Sequence, residues 1–77
     1  MKGMKLKMNF IKVERTKLGL RQSDLAELTG ISGSKLFRAE KKNNILDYLS
    51  YNELEQLAVA LDMTIDEMVT LYKEEYL

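Results

Sequence analysis

The 77-residue chain contains no cysteine, no histidine, no proline and no tryptophan. Without cysteine, neither a disulfide framework nor a thiolate metal site can form, and the chain suits a reducing cytoplasm. Without histidine, the usual zinc sites, nucleophile–base pairs and proton shuttles are excluded as well. Catalysis would have to run on Asp, Glu, Lys or Tyr alone, so an enzyme, a bound metal and a cofactor are not expected. No apolar run approaches the ~18 residues of a membrane span. The opening MKGMKLKMNF alternates Lys with Met and Leu where a secretory signal needs a continuous apolar stretch. A soluble cytoplasmic protein with no membrane partner is the expectation. The absence of proline, repeats and low-complexity stretches leaves nothing to mark a linker, and the length suits one domain, residues 1–77.

Net charge is also lacking, with twelve Lys or Arg against twelve Asp or Glu. Their placement is uneven. Residues 1–42 carry eleven Lys or Arg against four Asp or Glu, and residues 43–77 carry one against eight, a net +7 facing −7. A chain polarised in this way can lay a basic face on phosphate while its acidic end is held away.

The most informative stretch is QSDLAELTGISGSKLFRAE, residues 22–40. It has the layout of two short helices joined by a turn at Gly30. In the first, Leu25, Ala26 and Thr29 share a face, and the small Ala26 lets a second helix cross closely above it. In the second, at about 100° per residue, Leu36, Ala39 and Glu40 point one way and Ser34, Arg38 and Lys41 the other. Gly30 is expected to take φ > 0 and end the first helix, Ile31 to plug the core, and Ser32 to cap the second helix. This is a helix-turn-helix pattern, with one packing face and one reading face.

At these residues the chain resembles the phage repressor and Cro family, the xenobiotic-response-element type of bacterial regulators. The resemblance runs from about Ile11 to Val69 and includes RTKLGLRQSDLA at the front and ELEQLAVALDMTIDEMV at the back. It implies an all-α, five-helix fold of the lambda-repressor type that binds a double-stranded DNA operator. It also implies that Gln22 holds a phosphate, that Gly33, Ser34 and Arg38 lie over base edges, and that Arg15 pairs with Glu40. The chain departs from the family pattern in several places. Gly33 and Ser34 replace long polar side chains, so base reading would rest mostly on Arg38, with Lys35 and Lys41 nearby. Arg21 stands where a Ser or Thr cap is usual, and Lys41 and Lys42 replace a glycine after Glu40. The loop NNILDYLS is about four residues longer than in the shortest members.

Ahead of this region, Asn9 to about Lys17 reads as the first helix, with Phe10, Ile11 and Val13 as core candidates. Met4, Leu6 and Met8 alternate with Lys5 and Lys7, a period-2 pattern that suits a short strand pairing with residues 45–49. A basic tail followed by an ordinary long loop is the alternative. Ser50 with Glu53 and Thr64 with Glu67 have capping-box spacing and start the last two helices. Their apolar stripes are Leu54, Leu57, Ala58 and Leu61, then Ile65, Met68, Val69, Tyr72 and Tyr76.

The expected function is sequence-specific DNA binding by a transcriptional regulator, a repressor of the phage or mobile-element kind, with helix 33–40 in the major groove. Arg38 can bond a guanine bidentately, while Gln22, Lys41 and Lys42 meet phosphates. Phe37, at the edge of that face, either tucks against the 45–49 loop or touches a thymine methyl. Tyr48, Tyr51, Tyr72, Tyr76 and Leu77 together exceed what so small a core can cover and suggest a homodimer patch. A protein-interaction module is the alternative, an antirepressor or modulator that uses the scaffold to bind another regulator. Gly33 and Ser34 favour it.

Overall fold

A computed structural model describes residues 9–42 and 44–76. Among them are six helices and no strand: α1 (Phe10–Lys17), α2 (Gln22–Thr29), α3 (Gly33–Lys42), α4 (Ile45–Tyr48), α5 (Tyr51–Ala60) and α6 (Ile65–Glu75). The all-α expectation holds, with a one-turn helix added to the five. Each boundary has a local cause. The Asn9 side chain accepts from the Lys12 N–H and opens α1. The chain leaves α1 through Gly19 at φ 73° and leaves α2 through Gly30 at φ 75°, both in the left-handed region that glycine enters without a Cβ clash. Both sequence-predicted capping boxes form. Ser50 and Thr64 each accept from the amide three residues on, and the Glu53 and Glu67 carboxylates accept in return.

Residue 45 begins a helix, not a strand, which corrects the expected pairing of 45–49 with the N-terminal segment. Ile45 is fully buried and Leu49 is 5% exposed. An i, i+4 spacing puts both on one side of a single helical turn, closed by the Leu49 N–H bonding the Ile45 carbonyl at 3.0 Å. In a strand the same two residues would also share a face, so periodicity over five residues could not separate the two forms. The other half of that pairing, Met4 to Met8, lies outside the described residues.

The core gathers Phe10 and Ile11 from α1, Leu25 from α2, Ile31 from the turn, and Leu36 and Ala39 from α3. Leu54, Leu57, Ala58, Leu61, Met68 and Tyr72 close it from the other side. Val13, expected in this core, is only half-buried. The aromatic residues do not make one outer patch. Tyr72 and Tyr76 each meet the Phe10 ring edge-on, with centroids 5.8 and 5.3 Å apart, a favoured quadrupole geometry. That buries Tyr72 and partly buries Tyr76, while Tyr48 is half-buried and Tyr51 is 65% exposed. Leu77 is outside the described residues.

Candidate nucleic-acid interface

The helix-turn-helix geometry is set by small polar groups as much as by apolar ones. The Thr29 hydroxyl donates to the Leu25 carbonyl at 2.7 Å and accepts from the Ile31 N–H at 3.1 Å. One side chain thus satisfies a backbone group on each side of Gly30. Ile31 then drops into the core, and the Ser32 hydroxyl accepts from the Lys35 N–H at 3.2 Å, so α3 starts where the sequence places it. The crossing of α3 over α2 follows.

An ion-pair network on the buried side fixes the angle of α3. Arg15 meets Glu40 through two parallel bonds, Nε to Oε2 at 2.9 Å and an outer nitrogen to Oε1 at 3.1 Å. The side chains are 14% and 9% exposed. The remaining guanidinium nitrogen donates to the Leu20 carbonyl at 3.0 Å, which ties the α1–α2 connection into the same cluster. Bonding by Glu40 raises the Arg15 pKa further above its ordinary value, so the cation is permanent. Sequence reasoning anticipated the pair but not its third member. The Gln22 side-chain amide donates to Glu40 Oε1 at 3.0 Å. Gln22 therefore starts α2 with its side chain held by the far end of α3, and its amide carries a second N–H beside the one that Glu40 accepts.

The outward side of α3 carries Gly33, Ser34, Phe37, Arg38, Lys41 and Lys42, every one exposed, while Leu36, Ala39 and Glu40 are buried. This is the division anticipated from the helical period. Arg38 is exposed and makes no ion pair among the described residues. Lys35 is in a different position. Its ammonium lies 2.9 Å from the Glu53 carboxylate and 5.9 Å from the Tyr48 ring centroid, which ties α3 to α5. Phe37 stands among the exposed large apolar residues and not in the core. It is 51% exposed, with the Lys41 ammonium 6.0 Å from its ring centroid. Its place, one residue before Arg38 and three after Ser34, turns the ring outward, away from the Leu36 and Ala39 side.

At the start of α2, Arg21 occupies the cap position, and a guanidinium has no acceptor with which to cap. Asp24 supplies the reciprocal half of a capping box alone. Its carboxylate accepts the Arg21 N–H at 2.9 Å and the Arg21 Nε at 3.2 Å. Hydrogen bonds from Arg21 hold the Asp24 carboxyl below its usual range. The arrangement presents an 82% exposed guanidinium beside Gln22. Sequence reasoning took Arg21 only as an imperfect cap, although its adjacency to Gln22 was the available signal.

Two crossed helices, an outward cationic face and a buried Arg–Glu brace are the features of a DNA-reading helix-turn-helix. A family model described as the Cro/C1-type HTH DNA-binding domain matches residues 11–74. The chain belongs to the Cro/C1-type helix-turn-helix family. It is accordingly a DNA-binding regulator domain built on a non-enzymatic regulator fold. The Cro/C1-type match begins one residue into α1 and ends one residue before the last of α6, so it covers the whole bundle and not the α2–α3 unit alone. No curated protein and no solved structure shows a significant match to the chain. No helix among the described residues is long and apolar enough to cross a membrane.

Proposed function

We propose that this Cro/C1-type domain is a sequence-specific transcriptional repressor of the phage or mobile-element kind. It inserts α3 into the major groove of an operator. The observation that carries this reading is the division of α3, whose outward residues are all exposed while Leu36, Ala39 and Glu40 are locked inside. Arg38 addresses a base pair, Ser34 lies over the neighbouring one, and Gln22, Lys41 and Lys42 meet the flanking phosphates. Lys35, bonded to Glu53, sets the helix in place and contributes at most a peripheral phosphate contact. A homodimer on two half-sites supplies the contacts that one sparse recognition helix lacks. The setting is cytoplasmic, and the domain acts by binding, not by catalysis.

The test is a mobility-shift assay against DNA flanking the chain's own coding region, at two salt concentrations. Binding that weakens steeply as salt rises is the expected result, because each neutralised phosphate releases counterions. Absence of binding at low salt would favour the second reading, a module whose α3 face docks another regulator. The specific observation on that side is the bareness of Gly33 and Ser34 at the start of α3, together with the commitment of Lys35 to Glu53.

A further inference from the structure

We infer that Phe37 is a base-reading residue, which packs its ring on the C5 methyl of a thymine in the major groove. The inference rests on the operator-binding reading above and names what that face selects. Its first support is the ring's placement. Phe37 is 51% exposed at the edge of the outward side of α3, one turn after Gly33 and one turn before Lys41, whose ammonium lies 6.0 Å from the ring centroid. Apolar groups left in water favour burial, and in a groove lined by hydrogen-bonding edges the thymine methyl is the apolar feature available.

The second support is Gly33. It has no positive φ, and a Cβ added there would meet nothing within 4 Å. Neither backbone conformation nor internal packing calls for glycine, which costs more chain entropy than alanine at a helix start. An outside body that approaches the first turn of α3 closely does call for it. With Gly33 bare and Ser34 short, the helix can settle deep enough for a ring one turn further on to reach a methyl group. A longer polar side chain at either position would hold the helix off.

The experiment begins by selecting a preferred duplex from a randomised DNA library with the full chain. Each thymine of that duplex is then replaced, one at a time, by deoxyuridine, which removes only the C5 methyl. One replacement should weaken wild-type binding about fourfold, the equivalent of ~0.8 kcal/mol for one buried carbon. The same replacement should leave Phe37→Ala binding unchanged. Phe37→Leu, still apolar, should retain part of the sensitivity. Because Phe37 is half exposed, Phe37→Ala should melt with the parent, and Gly33→Ala should melt no lower while binding the site more weakly. A selected site without thymine, no sensitivity to deoxyuridine, or equal sensitivity in Phe37→Ala would overturn the Phe37 inference and leave operator binding standing. Failure to select any sequence would overturn the operator reading itself, and this inference with it.

Discussion

The α5–α6 hairpin and the α2–α3 unit are built from helices of similar length, yet they start differently. Both α5 and α6 open with complete capping boxes, in which Ser50 and Thr64 accept the amides of Glu53 and Glu67, and the two carboxylates accept in return. In contrast, α2 opens on Arg21, which cannot accept a bond, and α3 opens on Ser32 followed by Gly33 and Ser34. The charges divide in the same sense. Asp62, Asp66, Glu67, Glu74 and Glu75 mark the back of the chain, while Arg21, Arg38, Lys41 and Lys42 are displayed at the front. The back spends its polar residues on its own helix ends. The front caps α3 with Ser32 alone, leaves Arg38, Lys41 and Lys42 exposed, and adds one buried ionic brace.

The largest test of that contrast removes the brace. Glu40 accepts two bonds from Arg15 and one from Gln22 while 9% exposed, so Glu40→Ala strands a guanidinium and an amide together. Loss of one partner from a buried pair costs about 3–5 kcal/mol, whereas an apolar replacement of both partners can be nearly neutral. Glu40→Ala should therefore melt far below the parent, and Arg15→Met with Glu40→Leu should recover much of the loss. Equal melting of Glu40→Ala and the parent would show that the front does not depend on this brace.

The next effect should fall on binding and spare stability. Arg38 is exposed and without an ion-pair partner among the described residues, so Arg38→Ala removes no internal contact. Loss of a bidentate guanine contact is worth about 1–3 kcal/mol on the preferred site and relaxes the choice at one base pair. The check is a pair of measurements, melting temperature and sequence preference. A variant that melts lower, or that keeps its preference intact, would break the division between a stabilising back and a reading front.

What the sequence revealed and what it hid follow the same line. The period of α3 separates Leu36, Ala39 and Glu40 from Ser34 and Arg38, because helical geometry over ten residues leaves little choice. The capping boxes are legible because they need only residue type at a fixed spacing. Three features were not legible. The form of residues 45–49 was hidden because Ile45 and Leu49 share a face in either a helix or a strand. The third bond of the brace, from Gln22 to Glu40, depends on the crossing of two helices, which no local pattern encodes. How much of Phe37 stays exposed at the edge of that face likewise depends on how the neighbouring helices cross α3.

A smaller effect is expected at the back. The Thr64 hydroxyl accepts the Glu67 N–H at 3.1 Å and is the side-chain cap of α6. Removal of such a cap costs typically ~1 kcal/mol. Thr64→Ala should lower the melting temperature by about 4–8 °C for a domain of this size. It should leave DNA affinity unchanged in buffers where the protein stays folded, since α6 lies outside the reading face. A loss of affinity without a loss of stability would mean that the acidic back takes part in binding.

The smallest effect expected concerns pH, and it appears on both sides of the comparison. Hydrogen bonds from Arg21 lower the Asp24 pKa from 3.8, and those from Lys35, then the Ser50 backbone, lower the Glu53 pKa from 4.5. A carboxylate whose folded pKa is depressed contributes stability above its unfolded value. That contribution is lost as pH falls through the folded one. Stability should thus decline below about pH 4.5, with Glu53 entering first and Asp24 following. Both pairs are largely solvated, so each contribution is modest. Asp24→Asn and Glu53→Gln, compared by denaturant titration between pH 3 and pH 7, should each flatten the acid limb relative to the parent. An acid limb unchanged in Glu53→Gln would mean that Lys35 does not hold α3 to α5 through this carboxylate, and Lys35 would then be free to join Arg38 on the reading face.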